Sequence, residues 1–339
     1  MVETIVSASV TCASTVNVNP TSPSLDRWNY PFATTPGTET TASVFAPLTA
    51  TGFDPSFDNR DGQFIIGFNT SSLVTTGKSI NSYAVTSASV QLTVADNLAF
   101  GYDPTPDSWR TFAIPSDPKY VADADAGRPV ELFGTSFRNG FTASSWAETT
   151  AYSPLGAFGK SIRTAFPVAF NAQGQAFDVS DTFDLQIDPT AFAVGTAPLT
   201  QGQPVPNATV FTFAINTADP NIQRYLRRSL RAGKSLFTVA SFFPSEQQQS
   251  NGTFPRFYTR ENALVQVGAV SAARLSMNVQ VSDTPVAAGD VNGDGHVNID
   301  DLTQIILQWG PCSFCPADVN ADNVVNIDDL TQVILDWSN

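Results

Sequence analysis

Histidine is nearly absent from this 339-residue sequence, and its scarcity excludes several kinds of enzyme. The single example, His296, lies inside a repeated acidic loop described below. Because Ser–His and Cys–His pairs need a histidine free to act as a base, we expect neither. Glycoside cleavage needs two opposed carboxylates, and the six Glu residues are scattered along the chain. The sequence therefore predicts a protein that is not an enzyme, with an Asp pair brought together by the fold as the alternative.

Basic residues and long apolar runs are also scarce. The chain has 17 Lys and Arg against 31 Asp and Glu, a formal net charge of −14. We expect no nucleic-acid partner, because few cations are available to neutralise phosphates. No run approaches the roughly 18 apolar residues of a membrane span, so we expect none. One basic group lies on a single predicted helix, and we interpret it as a solvent-exposed face: Arg224, Arg227, Arg228 and Arg231.

Cysteine occurs three times. Cys312 and Cys315 lie between two prolines, where a small disulfide would stiffen a short connector. Reduced thiols are the alternative, since a redox centre would need a helix start after Cys312 and zinc would need two more ligands. We predict a structural disulfide, which leaves Cys12 either buried or available to another chain.

What the sequence does contain is one twelve-residue loop written twice, as loop 1 (Asp290–Asp301) and loop 2 (Asp318–Asp329). In loops of this type, side-chain oxygens at positions 1, 3, 5, 9 and 12 and the carbonyl of position 7 surround a calcium ion. Both copies fill every position. The ligands are Asp290, Asn292, Asp294, His296, Asn298 and Asp301 in loop 1, and Asp318, Asn320, Asp322, Val324, Asn326 and Asp329 in loop 2. We therefore predict two bound Ca²⁺ ions.

Each loop continues into apolar residues at helical spacing. They are Leu302, Ile305, Ile306 and Trp309, then Leu330, Val333, Ile334 and Trp337. The residues ahead of each loop are poor helix formers, so the repeated unit is one loop and one helix. Over Gly289–Asn339 this arrangement resembles a type I dockerin. The resemblance implies two calcium sites of the F-hand type and docking onto a cohesin-like protein partner.

Two features depart from that family. Loop 2 has Asn323 where loop 1 has Gly295, and Asn is the next-best residue for a left-handed turn, so we expect weaker calcium binding there. Family members often carry hydroxyl residues at positions 10 and 11, which here are Ile299–Asp300 and Ile327–Asp328. The identity of the partner is therefore left open.

The rest of the chain reads as a mainly β domain. β-rich runs recur between turn signals, at Thr4–Val10, Gln63–Phe68, Ala88–Val94, Val130–Phe133, Ala165–Phe170, Thr209–Ile215, Leu236–Phe243, Leu264–Val267 and Ala273–Val281. One helix is capped by Asp219 and ended by Gly233, and it precedes a strand that we expect to be central. We predict a β-sandwich domain over 1–283, followed by a small α-helical module over 284–339.

The β domain carries a second resemblance. The segments Asp61–Leu73 and Val85–Val94, then Ser145–Glu148, Phe257–Asn262 and Arg274–Val281, resemble the signature of DNRLRE-type jelly-roll domains. The resemblance implies an antiparallel jelly-roll β-sandwich with long loop insertions. It also implies an exported surface or carbohydrate-binding function, tied in some relatives to matrix or fibre assembly.

Two functions follow. The first is a non-catalytic extracellular or cell-surface subunit that assembles through its calcium module, either with itself or with a cohesin-like domain, and whose signal peptide is not present in this chain. The segment Thr4–Val10 is a candidate for strand addition to a neighbour. The alternative is a polysaccharide-binding domain tethered through the module. Candidate aromatic contacts, with core packing as the competing explanation, are Trp28, Tyr30, Tyr102, Trp109 and Trp146.

Asp-rich loops in the β domain raise the option of a further structural ion. The candidates are Asp54, Asp58, Asn59 and Asp61, then Asp103 with Asp107, and Asp123 with Asp125. Turn residues that hydrogen-bond their own backbone are the competing explanation.

Overall fold

The computed structural model describes residues 14–33, 35–49, 52–54, 56–154, 159–172, 174–245, 253–282, 287–312 and 314–338. Its strands are β1 (Ser14–Val18), β2 (Leu25–Asn29), β3 (Thr41–Ser43), β4 (Leu48–Thr49), β5 (Gly52–Phe53), β6 (Gln63–Asn69), β7 (Tyr83–Thr93), β8 (Val130–Phe137), β9 (Ala165–Phe170), β10 (Ala176–Asp178), β11 (Ala193–Thr196), β12 (Val210–Ala214), β13 (Lys234–Ser241), β14 (Arg256–Tyr258), β15 (Arg274–Val281), β16 (Gly310–Pro311) and β17 (Val324–Val325). Its α-helices are α1 (Thr182–Leu185), α2 (Pro220–Ala232), α3 (Ala263–Gln266), α4 (Ile299–Leu307) and α5 (Ile327–Leu335).

Eleven strands form one antiparallel sheet that curls back on itself, which confirms the mainly β prediction. The order is β1-β15-β7-β12-β11-β8-β13-β6-β2, with β9 and β10 added beside β8. Strand β11 joins the two halves, because Val194 pairs with Glu131 of β8 while Gly195 pairs with Phe213 of β12. A Cβ atom at Gly195 would lie 2.7 Å from the ring of Phe211, so the crossing point has no room for a side chain.

The two halves of the sheet share one hydrophobic core. Along β15 every second residue is buried, among them Leu275, Met277 and Val279, because successive strand residues point to opposite faces. Strand β13 lies between β6 and β8 and is buried along almost its whole length. The prediction that this strand is central is therefore confirmed.

Helix α2 fastens the two halves together. It begins and ends where its caps predict, with the Asp219 carboxylate bonded to the first turn and Gly233 left-handed at φ 76°. The Tyr225 hydroxyl accepts a backbone N–H of β8 at 2.8 Å. On the other side, the Gln223 amide bonds both backbone groups of one β7 residue, at 2.9 and 2.8 Å. The helix therefore lies in a fixed orientation over one end of the sheet.

One predicted strand is wrong. Leu264–Val267 lies in and directly after the short helix α3, because the Asn262 side chain caps the turn by accepting the N–H of Leu264 at 2.9 Å. Local capping outweighs the β-propensity of a run whose Val267 side chain is 75% exposed. The predicted strand Thr4–Val10, Cys12 and the residues 283–286 around the predicted domain boundary lie outside the described residues.

Residues 287–338 build a second, smaller apolar cluster of their own. Both loops and both helices, α4 and α5, contribute buried side chains to this cluster. Among them are Val297, Ile305, Val325 and Val333. The short ribbon of β16 and β17 ties the connector between the loops to loop 2. Among the described helices, none combines the length and apolar character needed to cross a membrane.

Candidate functional site

The two predicted calcium loops fold with nearly the same hydrogen bonds, centred on positions 1 and 12. Asp301 accepts backbone N–H groups from positions 2, 3 and 9 of loop 1 at 2.7, 3.0 and 2.9 Å. Asp329 accepts the same three in loop 2 at 2.8, 3.1 and 2.9 Å. Asp290 accepts from positions 4, 5 and 6 at 2.8, 3.1 and 3.0 Å, and Asp318 from positions 5 and 6 at 3.0 and 2.9 Å. Each chain reversal is thus organised around two buried carboxylates.

The other predicted ligands lie on the same two loops. Asn298 and Asn326 at position 9 also cap α4 and α5, each in a capping box with the Asp at position 12. The backbone N–H groups of position 7 donate to the position 5 carboxylates at 2.8 Å in both loops. The position 3 amides donate to the same carboxylates at 3.0 and 3.1 Å. These position 3, 5 and 7 residues are Asn292, Asp294 and His296 in loop 1, and Asn320, Asp322 and Val324 in loop 2.

The charge of this region fits a cation. Residues 284–339 contain nine Asp and no Lys or Arg. In loop 1 the bonds from His296 and Asn292 lower the pKa of the Asp294 carboxyl, which keeps it ionised. Each loop combines carboxylate with amide oxygens, the hard neutral and anionic ligands that calcium takes. The residues present therefore suit an oxygen-coordinated divalent ion.

Helix α2 presents its arginines to this acidic region, so the interpretation of that basic cluster as a solvent-exposed face is wrong. Arg228 forms an ion pair with Asp318, the position 1 residue of loop 2, and is only 8% exposed. Arg231 donates to the carbonyl of Val319 at 3.2 Å. Burial, followed by the neighbouring arginines, lowers the pKa of Arg224 to about 10. The sequence shows only the opposite charges of the two regions, four arginines on one helix and nine Asp without Lys or Arg in residues 284–339, and does not show that they meet.

The connector between the loops anchors the same contact. The ring of Phe314 lies 5.2 Å from that of Tyr225 and 6.0 Å from that of Phe170, both in the β domain. The structure joins Cys312 and Cys315 on either side of this ring in the predicted disulfide. Loop 1 makes a lighter contact, in which the Asn81 amide donates to the carbonyl of Asp290 at 2.9 Å. Loop 1 and loop 2 therefore pack on the β domain at one end of its sheet.

Both helices of the module leave the same apolar side chains in solvent. Each of the two predicted helical patterns contributes only one fully buried residue, which is Ile305 in α4 and Val333 in α5. Exposed instead are four pairs of residues related by the repeat: Ile299 and Ile327, Ile306 and Ile334, Leu307 and Leu335, and Trp309 and Trp337. Leu307 and Leu335 are 78% and 74% exposed. This duplicated surface is unusual for a region otherwise rich in Asp.

The structure separates the Asp-rich loops of the β domain, which the sequence offered as sites for a further ion, into two cases. Asp58 is not a free ligand, because it pairs with the buried Arg163 at 2.5 Å. Asp103, Asp107 and Asp125 do come together, with carboxylate oxygens within 4.8 Å of one another. Burial, and then the neighbouring carboxylates, raise the pKa of Asp107 to about 7. A further ion at this place remains a prediction.

A second acidic trio, which the sequence did not single out, is already paired with an arginine. Asp26, Glu148 and Glu261 also have oxygens within 4.8 Å of one another. Arg260 lies among them, 2.6 Å from Glu148 and 2.8 Å from Glu261. The trio therefore holds a side-chain cation and serves the packing of the β domain.

The five candidate aromatic residues separate into two groups. Trp146 and Tyr102 are buried, and Trp109 packs edge-on against Phe183, so core packing explains these three. Trp28 and Tyr30 instead line an open cleft beside β2.

No protein-family model matches the sequence, and a search of curated proteins found no match either.

Proposed function

We propose that the protein is a non-catalytic, exported assembly subunit whose C-terminal region is a dockerin-like calcium module. In this proposal residues 1–283 form a jelly-roll-like β-sandwich and residues 284–339 form the module. The observation that carries it is the repeated geometry of loop 1 and loop 2, in which buried carboxylates at positions 1 and 12 close each loop with the same backbone bonds. Chance is a poor explanation for two such loops 28 residues apart.

When bound, a calcium ion would neutralise the carboxylates that converge in each loop. The chain's own contribution is to bring these oxygens together through the backbone bonds of the folded loop. Asp301 and Asp329 each bond three backbone N–H groups, which fixes the loop onto the first turn of the helix that follows. Loop closure and helix capping therefore depend on the same two side chains, so we expect ion binding and folding of the module to be coupled.

The duplicated apolar surface supports an assembly function. Exposed Leu and Trp side chains at repeated positions on α4, α5 and the residues after them suit contact with another apolar protein surface. The partner is either a second copy of this chain or a cohesin-like domain. Calcium sites of this type need the high calcium found outside cells, which favours an extracellular or cell-surface location.

Light scattering with negative-stain microscopy tests this function, in millimolar calcium and again after chelation. We expect calcium-dependent oligomers or fibres that are lost when Leu307→Asp and Leu335→Asp are combined. Val267→Asp is the matched control, because that apolar residue is equally exposed but lies on the β domain. A chain that stays monomeric under both conditions and captures no cohesin-like domain would contradict the assembly function.

A further inference from the structure

A cavity of about 580 Å³ lies where loop 2 meets the β domain. This volume falls within the roughly 300–1,000 Å³ of small-molecule sites. Helix α2, the start of β13 and the turn after β8 line it from the β domain, and Asn320, Ala321 and Asn323 line it from loop 2. A ligand held in the cavity would therefore touch both parts of the molecule.

The charged part of this lining is entirely positive. Among the described residues that line the cavity, none is Asp or Glu, and four are basic: Arg138, Arg228, Arg231 and Lys234. In the whole chain acidic residues outnumber basic ones by 31 to 17, so this balance is reversed locally. The three lining residues of loop 2 are uncharged, although that loop is rich in Asp. The cavity is thus a cationic pocket within an acidic protein.

Two of the four cations already have an acidic partner. Arg138 pairs with Asp178, and Arg228 pairs with Asp318. Neither carboxylate is among the residues that line the cavity. Each of these two guanidinium charges is therefore balanced by a group outside the lining, and the excess positive charge comes from the other two cations.

Arg231 and Lys234 carry that excess. Arg231 donates to the backbone carbonyl of Val319 at 3.2 Å, which leaves its charge uncompensated. Neither side chain forms an ion pair with an acidic residue in the described part of the chain. Burial lowers the pKa of Lys234, and the charge of Glu148 opposes that shift without cancelling it. An anion beside the two cations would offset this cost of burial.

We propose that this cavity binds a small phosphomonoester carried on an apolar body. A phosphomonoester has a charge of about −1.5 to −2 at pH 7, which matches two unpaired cations, whereas one carboxylate would balance only one. Arg offers phosphate a planar fork of donors, and Lys binds it as a point charge. The hydroxyl groups of Ser136 and Thr142 also line the cavity and can donate to phosphate oxygens.

The apolar part of the lining suits the body of such a ligand. Phe137, Phe141 and Leu236 line the cavity together with the cations. Both phenylalanines are only partly buried, so apolar surface is available for contact. A bare phosphate ion would leave that surface in water, whereas an aryl phosphate would cover it. The site goes beyond the proposed function, because all four cations belong to the β domain.

Isothermal titration of the calcium-loaded full chain with phenyl phosphate, benzoate and a short phosphotyrosine peptide tests the assignment. We expect phenyl phosphate to bind about tenfold more tightly than benzoate, because it carries the additional charge. Lys234→Gln should weaken binding by about tenfold or more, the loss of one charge-assisted contact, and Lys234→Arg should largely retain it. Lys119→Gln is the matched control, since that lysine bonds Gln186 and does not line the cavity.

Several results would overturn the assignment. They are the absence of phenyl phosphate binding, equal affinity for benzoate, and unchanged affinity in both Lys234→Gln and Arg231→Gln. Tighter binding of the phosphotyrosine peptide than of phenyl phosphate would overturn the small-molecule source and assign the phosphate to a modified partner protein. If Lys234→Gln does not fold, Arg231→Gln replaces it, with the same expected direction.

Calcium titration of Lys234→Gln keeps this site separate from the calcium module. Lys234 lies on β13 and forms no ion pair with either loop in the described residues, so the calcium affinity should match that of the unchanged protein. Loss of phenyl phosphate binding with calcium binding intact is the result expected for the variant. A failure of the anion site and a failure of the calcium module are therefore distinguishable outcomes.

Discussion

Loop 1 and loop 2 have nearly the same sequence and nearly the same internal hydrogen bonds, yet they have different surroundings. Loop 1 touches the β domain through its backbone, at the carbonyl of Asp290. Loop 2 touches it through a predicted ligand, because Arg228 pairs with the carboxylate of Asp318. Local sequence thus determines the shape of each loop, whereas the β-domain residue beneath it determines how each one is engaged: Asn81 under loop 1 and Arg228 of α2 under loop 2.

The difference also extends to the backbone. At positions 4 and 6, loop 1 has Gly293 and Gly295, which adopt the left-handed conformation at no steric cost. Loop 2 adopts the same conformation with Ala321 at φ 66° and Asn323 at φ 72°. The copy that contacts the β domain more closely is therefore also the more strained one. We infer that packing against α2 compensates for that strain.

The largest expected effect comes from removing calcium, because both loops contain the same set of predicted ligands. In excess chelator we expect the last fifty or so residues to unfold while the β domain keeps its own transition, because ions at 1,000 times Kd stabilise a site by about 4 kcal/mol. Differential scanning calorimetry with and without chelator measures this. An unchanged unfolding profile would mean that the loops do not bind calcium.

The substitution Arg228→Ala removes the ion pair that links loop 2 to the β domain and has no counterpart in loop 1. Breaking a buried ion pair costs about 3 kcal/mol, so the folded, calcium-loaded module should detach more easily from the β domain. Removing a positive charge beside Asp318 should at the same time raise the calcium affinity of loop 2 by about tenfold, while loop 1 stays unchanged.

Calcium titration monitored separately in each loop by NMR distinguishes these effects. The matched control is Arg274→Ala, which removes an exposed arginine of β15. Equal changes in both loops would show that Arg228 acts on the whole module and not on loop 2 alone.

Exchanging glycine and alanine at position 4 of the two loops should reverse the difference in backbone strain between them. Ala321→Gly should stabilise loop 2 by about 1 kcal/mol, the cost of a left-handed residue with a Cβ atom. Gly293→Ala should destabilise loop 1 by a similar amount, and only through the backbone, since no atom lies within 4 Å of the added Cβ. Chemical denaturation in saturating calcium measures both changes. The two substitutions should change the free energy of unfolding in opposite directions. If both lower it, backbone strain is not the cause of the difference.

Local features of this molecule could be predicted from the sequence. The limits of α2 follow from Asp219 and Gly233, because caps act within one turn. The loop bonds follow from side chains at most eleven positions apart. The strand predicted at Leu264–Val267 failed for the same reason, because Asn262 provided a local cap that the β-rich pattern concealed.

Features that depend on long-range contacts could not be predicted. Arg228 and Asp318 lie 90 residues apart, and the spacing of arginines on a helix does not reveal what covers them. Five aromatic residues were equal candidates in the sequence, and only the packing of the sheet separates Trp28 and Tyr30 from the buried Tyr102 and Trp146. Burial of this kind depends on which strands face each other across the core.

The smallest expected effect tests whether the lighter contact of loop 1 matters. The Asn81 amide donates to the carbonyl of Asp290 and does not contact its carboxylate. Asn81→Ala should therefore cost about 0.5–1 kcal/mol, one ordinary hydrogen bond, and speed amide exchange around Gly289–Val291 without altering loop 2. Asn278→Ala, which removes one side-chain bond within the sheet, is the control. If exchange rises in both loops alike, the module moves on the β domain as one body, and the different surroundings of the two loops have no separate energetic consequence.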